Sequence, residues 1–183
     1  AMVSRARGMQ NKERADSILR QTMLLVTVIS FLCAYVGYNC SEWMIKFMSN
    51  GGLNESIILQ GTRYLQIQFL FFPITAWTAS ITAILKGVGH AKPSMVYNTV
   101  SNLVNIVFNW LFIYGNLGFP RLEVAGASLA TGIGQTVAAV IAFWCIFSNK
   151  FYVVMKLSLK NLFKFDKDIV SGLAKVGIPA MIE

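Results

Sequence analysis

Four carboxamides recur along one stretch of this chain: Asn98, Asn102, Asn105 and Asn109 stand at i, i+4, i+7 and i+11. On a helix that spacing gathers them on one face, with Ser101 beside them. A carboxamide offers one carbonyl oxygen and two N–H donors, carries no net charge and does not titrate in the physiological range. It can ligate a hard cation through oxygen, or hydrogen-bond across a helix interface. The surrounding stretch, Pro93 to Tyr114, is otherwise apolar and long enough to cross a bilayer, which takes roughly 20 residues. A carboxamide facing lipid would lose its hydrogen bonds at a cost of a few kcal/mol, so this face must meet other helices or a watery cavity. Two readings are open: interhelical glue, and the wall of a solute or ion pathway. Four carboxamides along about 16 Å of helix axis favour the pathway. Further along, Thr131 and Gln135 lie one turn apart on a helix face of their own span.

Other chemistries are poorly provided for. His90 is the only histidine, and it falls in a turn. Of the acidic residues only Glu183 lies inside an apolar pattern, so no two carboxylates are placed for acid–base work. Cys33, Cys40 and Cys145 sit in apolar segments without metal-ligand neighbours and read as small fillers. No Gly-Lys-Ser/Thr phosphate loop occurs, so no nucleotide-driven pump is encoded, and no cofactor is expected. Aromatic residues such as Phe69, Phe71, Phe72 and Trp77 read first as packing and second as a drug pocket.

The elements that must position the carboxamides are membrane spans. The chain has 183 residues, 55% hydrophobic and 13% charged, with a mean hydropathy of +0.56. A soluble domain would carry nearly twice that charged fraction. The reading is an all-α integral membrane helix bundle with four full spans. They lie near Gln21–Cys40, Tyr64–Leu85, Pro93–Tyr114 and Val124–Phe147, with residues 11–20 running helically into the first. Ser41 to Met48 has an interfacial look, and Asn54 is placed to cap the second span. Pro73 should kink that span. In the fourth, Gly126, Ala130 and Gly134 recur every fourth residue, a seam that lets a neighbouring backbone approach closely. Residues 1–147 form the membrane bundle, 148–176 a basic amphipathic segment at the membrane surface, and 177–183 the start of a further span. Both ends are expected to be cuts through a longer protein.

With alternating spans, thirteen of the 16 lysines and arginines fall on one side and Lys46, Arg63 and Arg121 on the other. The first side is therefore expected to be cytoplasmic. The net charge of +8 then matches loops facing anionic membrane lipid and calls for no nucleic acid.

Gly87-x-Gly-x-x-Lys-Pro93, Asn102-Leu-x-Asn-Ile-x-x-Asn109, Gly118-Phe-Pro and Val124-Ala-Gly-Ala-x-Leu-Ala-Thr131 follow one another in order. Together they resemble the multidrug and toxic compound extrusion (MATE) family. Ser4-Arg-x-x-Gly8 with Glu13-x-Ala15-Asp16 resembles that family's loop between its second and third helices, and Gly177-Ile-Pro179 the start of its seventh. The resemblance covers essentially the whole chain. It implies helices three to six of a twelve-helix transporter, the linker between its two lobes, and parts of two more helices. The remaining helices of the same transporter would then be partners. It implies export of drug-like organic cations or amphipathic compounds by alternating access, driven by sodium ion or proton influx. The expected location is the plasma membrane, a bacterial inner membrane. The family's cation pattern has an acid on the first helix, Asn and Asp four apart on the fifth and Thr on the sixth. Asn105 and Thr131 match the Asn and the Thr, and Asn109 stands where the pattern has Asp. Asn98, Asn102 and Gln135 would line the pathway, and Glu183 lies near an acid that some members use in helix seven. Two other classes stay open. A flippase for lipid-linked saccharides would need a cavity ringed with Arg and Lys, and a membrane-embedded lipid enzyme would need His, Cys or paired acids at depth.

Overall fold

The computed structural model describes Gly8, residues 12–49 and residues 54–148. The segment 149–176, residues 177–183 with Glu183, and the Ser4–Gly8 motif apart from Gly8 lie outside the described residues. Four long helices account for nearly everything described: α1 (Lys12–Ser49), α2 (Glu55–Gly87), α3 (Ala91–Tyr114) and α4 (Glu123–Phe147). A single 3-10 turn, Asn116–Gly118, lies between the last two. The bundle is all-α, as the unbroken apolar runs require. Stretches of Ala15–Met48, Glu55–Gly87 and Glu123–Phe147 are long and apolar enough to cross a membrane. The third expected span, α3, has 24 residues, about 36 Å of axis and ample for a bilayer. It falls short on composition because its carboxamides lower the mean hydropathy. They can sit in a membrane only where helices or a polar cavity meet them.

The helices are longer than the apolar runs suggest. α1 begins in the basic stretch and continues through Ser41–Met48, which is its last turns and not a separate interfacial piece. α2 starts after Asn54, whose extended backbone (φ −63°, ψ 146°) is that of a cap residue although its side chain makes no cap hydrogen bond. Pro73 is buried inside α2 without ending it. Pro93 occupies the first turn of α3, where its missing N–H costs nothing. Gly115, at φ 72°, closes α3 in the left-handed conformation that glycine adopts freely.

In space the order is α1, α2, α4, α3: α2 packs on α1 and α4, α4 packs on α3, and α2 barely meets α3. The inner helices are α2 and α4, and the sequence of α4 explains how it sits between two neighbours. One face carries the expected seam. A Cβ on Gly126 would lie 2.8 Å from the Phe112 carbonyl oxygen, and one on Gly134 2.8 Å from that of Ser101. Ala130 between them is fully buried. The seam thus lies against α3, not lipid. The opposite face takes α2: a Cβ on Gly132 would run into the Phe71 ring, and Ser128 Oγ donates to the Tyr64 carbonyl at 3.0 Å. At one end of the bundle Leu19, Ile81, Leu85, Tyr97, Ala142 and Ile146 form a buried core joining all four helices.

Candidate cation site and polar groove

Close packing along the α4 seam brings α3 within hydrogen-bond reach of α4. Asn105 Nδ2 donates to Thr131 Oγ1 at 3.2 Å, and Thr131 Oγ1 donates to the Ala127 carbonyl at 3.0 Å. One turn up α3, Asn109 Nδ2 donates to Asn105 Oδ1 at 3.0 Å. All three bonds run the same way, so the chain ends in an acceptor, Asn109 Oδ1. That oxygen is buried and has no hydrogen-bond partner. An unsatisfied buried acceptor costs about 1–3 kcal/mol, which a positively charged or N–H/O–H-bearing ligand would offset. The available ligand chemistry is oxygen only, from two carboxamides and one hydroxyl, with no formal charge. Among the described residues no group of three histidines, cysteines or acids could hold a metal ion.

The other singled-out residues separate into two places. Asn98 and Gln135 line a groove of about 440 Å³ together with Thr75, Thr78, Thr82 and Lys86 of α2. Its floor is α4 and its walls are α2 and α3, which spread apart because they hardly touch. Asn102 is exposed and belongs to neither cluster. The fold therefore joins Asn105, Asn109 and Thr131 in one chain and sets Asn98 with Gln135 in a neighbouring groove.

The threonines are the part sequence reasoning passed over. Thr78 Oγ1 donates to the Ile74 carbonyl at 2.9 Å and Thr82 Oγ1 to that of Thr78 at 2.7 Å; Thr75 does the same to Phe71 at 3.3 Å. With each hydroxyl hydrogen committed to the helix, the oxygens of Thr75 and Thr78 remain as acceptors toward the groove. Tyr97 Oη lies 2.5 Å from Thr82 Oγ1 and ties α3 to α2. The signal was available: Thr75, Thr78 and Thr82 stand at i, i+3 and i+7, one helix face. It was hidden because threonine is mild enough to pass as an ordinary residue of an apolar span.

Comparison with known proteins agrees with this architecture. Residues 1–111 match the MatE family. The chain is similar to the probable multidrug resistance protein YoeA of Bacillus subtilis, 24% identical over 181 residues, covering 99% of this chain and 38% of that protein. It is similar also to the multidrug resistance protein NorM of Photobacterium profundum, 27% identical, covering 97% of this chain and 38% of that protein. The chain thus spans about two fifths of the length of these relatives. Among solved structures, an inward-facing multidrug resistance MATE family transporter of the MOP superfamily superposes with a TM-score of 0.84 at 23% identity, covering 97% of this chain and 38% of that one. A MATE in the bent conformation gives a TM-score of 0.86 at 23% identity with the same coverage.

Proposed function

The chain belongs to the MatE family, and from that premise we propose that it is part of a secondary active exporter moving organic cations or amphipathic compounds out of the cell. The cycle is alternating access, and inward flow of sodium ions or protons drives it. The described helices correspond to the third to sixth of a twelve-helix transporter, whose other helices complete the site. The membrane is the plasma membrane, in keeping with the bacterial relatives.

The observation that carries this reading is the hydrogen-bonded chain ending in the buried, unpartnered Asn109 Oδ1. Structural glue would satisfy both ends of each carboxamide. An open acceptor supports a transient positive occupant, and a carboxamide cannot itself take up a proton in the physiological range. Asn105, Asn109 and Thr131 therefore act as neutral ligands or as a lining. If protons drive the cycle, their carrier is an acid on another segment of the transporter. The groove of Thr75, Thr78, Thr82, Asn98 and Gln135 offers acceptors along one wall, suited to a solute with N–H or O–H donors. Among the described residues its lining holds one cation, Lys86, which fits poorly with a flippase that needs a basic ring for phosphate.

The test is efflux by the full-length protein in proteoliposomes, with a fluorescent organic cation and an imposed sodium or proton gradient. Uphill movement that follows one gradient and collapses with its ionophore supports the proposal. Movement of lipid-linked saccharide alone, or no gradient dependence, refutes it.

A further inference from the structure

Helices α2 and α3 hardly touch, yet one side-chain hydrogen bond crosses between them. Tyr97 Oη of α3 lies 2.5 Å from Thr82 Oγ1 of α2. The direction of this bond is fixed. The Thr82 hydrogen is spent on the Thr78 carbonyl at 2.7 Å, so Tyr97 donates and Thr82 accepts. Among the described residues no other side-chain bond joins these two helices. A tyrosine can make it because its ring is an apolar body that carries a polar tip across the gap. Tyr97 is fully buried and belongs to the core of Ile81, Leu85, Ala142 and Ile146. Thr82 and Tyr97 both stand within two turns of the short loop that joins the helices.

This tie spans the polar groove, whose two walls differ in chemistry. On α2 the hydroxyl hydrogens of Thr75 and Thr78 are spent on their own helix, so their oxygens only accept. Ala79 and Ala83 on the same wall carry only a methyl group and leave the space open. On α3 and α4, Asn98 and Gln135 are half-buried carboxamides that hydrogen-bond to no described residue. Each offers two N–H donors and an acceptor to a solute. Asn98 follows Tyr97 directly in the chain, so whatever holds Tyr97 to Thr82 also fixes how far Asn98 stands from the threonine wall. Without the bond, packing alone holds α2 to α3 at this level. The groove measures about 440 Å³, in the lower part of the range for small-molecule pockets, about 300–1,000 Å³. A change in the distance between its walls therefore alters which solutes fit.

We propose that Tyr97 is a specificity-determining residue: its bond to Thr82 sets the separation of the groove's walls and thereby the width of the solute admitted. This rests on the exporter reading, which gives the groove to the solute. A solute that fits carries N–H or O–H donors toward Thr75 and Thr78 and an acceptor toward the amides of Asn98 and Gln135. It is narrow, one ring across and not a fused ring system. Tyr97 does not touch it. The ring is buried and the hydroxyl is bonded away, so Tyr97 acts as a positioning residue that holds Asn98 against the threonine wall. Lys86, the one charged residue among the described lining, is exposed and takes no part in setting the width.

The test is efflux by the full-length protein in proteoliposomes of two dyes of equal charge, a narrow styrylpyridinium and a broad phenanthridinium. The readout is the ratio of their kcat/KM values. Wild type should favour the narrow dye. Tyr97→Phe and Thr82→Val should each raise the broad-to-narrow ratio about fivefold, the worth of one hydrogen bond. The double variant should do no more than either alone. Thr82→Ser, which keeps the acceptor oxygen, should retain the wild-type ratio. Efflux of both dyes falling in equal proportion would make the tie merely structural and overturn the proposal. So would additive effects, or Thr82→Ser matching Thr82→Val. Spin labels at Phe72 of α2 and Val107 of α3, both exposed, read the wall separation without transport. Their distance distribution should broaden in Tyr97→Phe, and an unchanged distribution would overturn the proposal. Absence of gradient-driven efflux of either dye by wild type would refute the exporter reading, and the proposal with it.

Discussion

Asn109 concentrates the chemistry of the bundle in one oxygen. One of its two N–H donors goes to Asn105 and its Oδ1 is buried without a partner; replacing the carboxamide by a carboxylate changes charge at nearly constant shape. Hard cations favour charged oxygen ligands. Asn109→Asp in the full-length protein should therefore tighten sodium binding or introduce a pH dependence of transport that wild type lacks. The sign is fixed: protonation of the new carboxylate on acidification would remove its charge and weaken sodium binding. Isothermal titration with sodium at two pH values reads both effects, and wild-type behaviour at both would assign Asn109 to interhelical glue. Thr131→Val tests the next link. It removes the acceptor of the Asn105 bond at little change in volume and should destabilise the fold by about 1–3 kcal/mol through the orphaned amide, read as a lower thermal midpoint in detergent.

At the scale of elements, α4 is the helix whose composition decides the arrangement. Small residues on both faces let the α3 backbone press close on one side and leave room for the Phe71 ring of α2 on the other, and the closeness to α3 brings Asn105 to Thr131. A bulky residue in the seam should undo both. Ala130→Leu should cost about 1–3 kcal/mol by overpacking and lower folded yield, whereas Val140→Leu, at an exposed site on the same helix, should not. Thermal unfolding of the purified variants compares them. This seam was legible because a four-residue repeat of Gly and Ala has one evident use in a membrane helix. The stripe of carboxamides was legible for the same reason of spacing. What could not be read was which of them would find partners. Asn98, Asn102, Asn105 and Asn109 share one face, yet only the last two join the chain to Thr131, because Asn105 is the one that comes within reach of Thr131 and Asn109 reaches Asn105 one turn on. The helical run of residues 12–20 into the first span was legible, but the continuation of α1 to Ser49 and the early start of α2 at Glu55 were not: hydropathy marks where lipid begins, and both helices continue into polar sequence. Their ends enclose a cavity lined by Glu42, Lys46 and Glu55, which no local pattern announces.

For the whole molecule, the row α1–α2–α4–α3 leaves a groove on each side of α2, one lined by threonines with Asn98 and Gln135 and one lined chiefly by Phe31, Tyr35, Tyr38, Phe69, Leu70 and Pro73. A bundle that exposes so much polar groove and so many large apolar residues, Tyr35 at 73% and Leu70 at 67% among them, is arranged to meet lipid and further helices. The distribution of lysines and arginines sets its orientation. Cysteines introduced one at a time near Lys12 and His90 should resist a membrane-impermeant reagent applied to intact cells, and one near Phe119 should react; labelling at position 90 from outside would reverse the assignment. The central claim is that the polar chain on α3 and α4 serves ion-coupled export and is not merely glue. It is tested most directly by gradient-driven efflux in full-length Asn109→Leu, measured beside its thermal midpoint. Transport should fall by at least about tenfold while the midpoint drops by only a few degrees. Transport that persists at the wild-type rate, or falls only in proportion to the loss of folded protein, would contradict it.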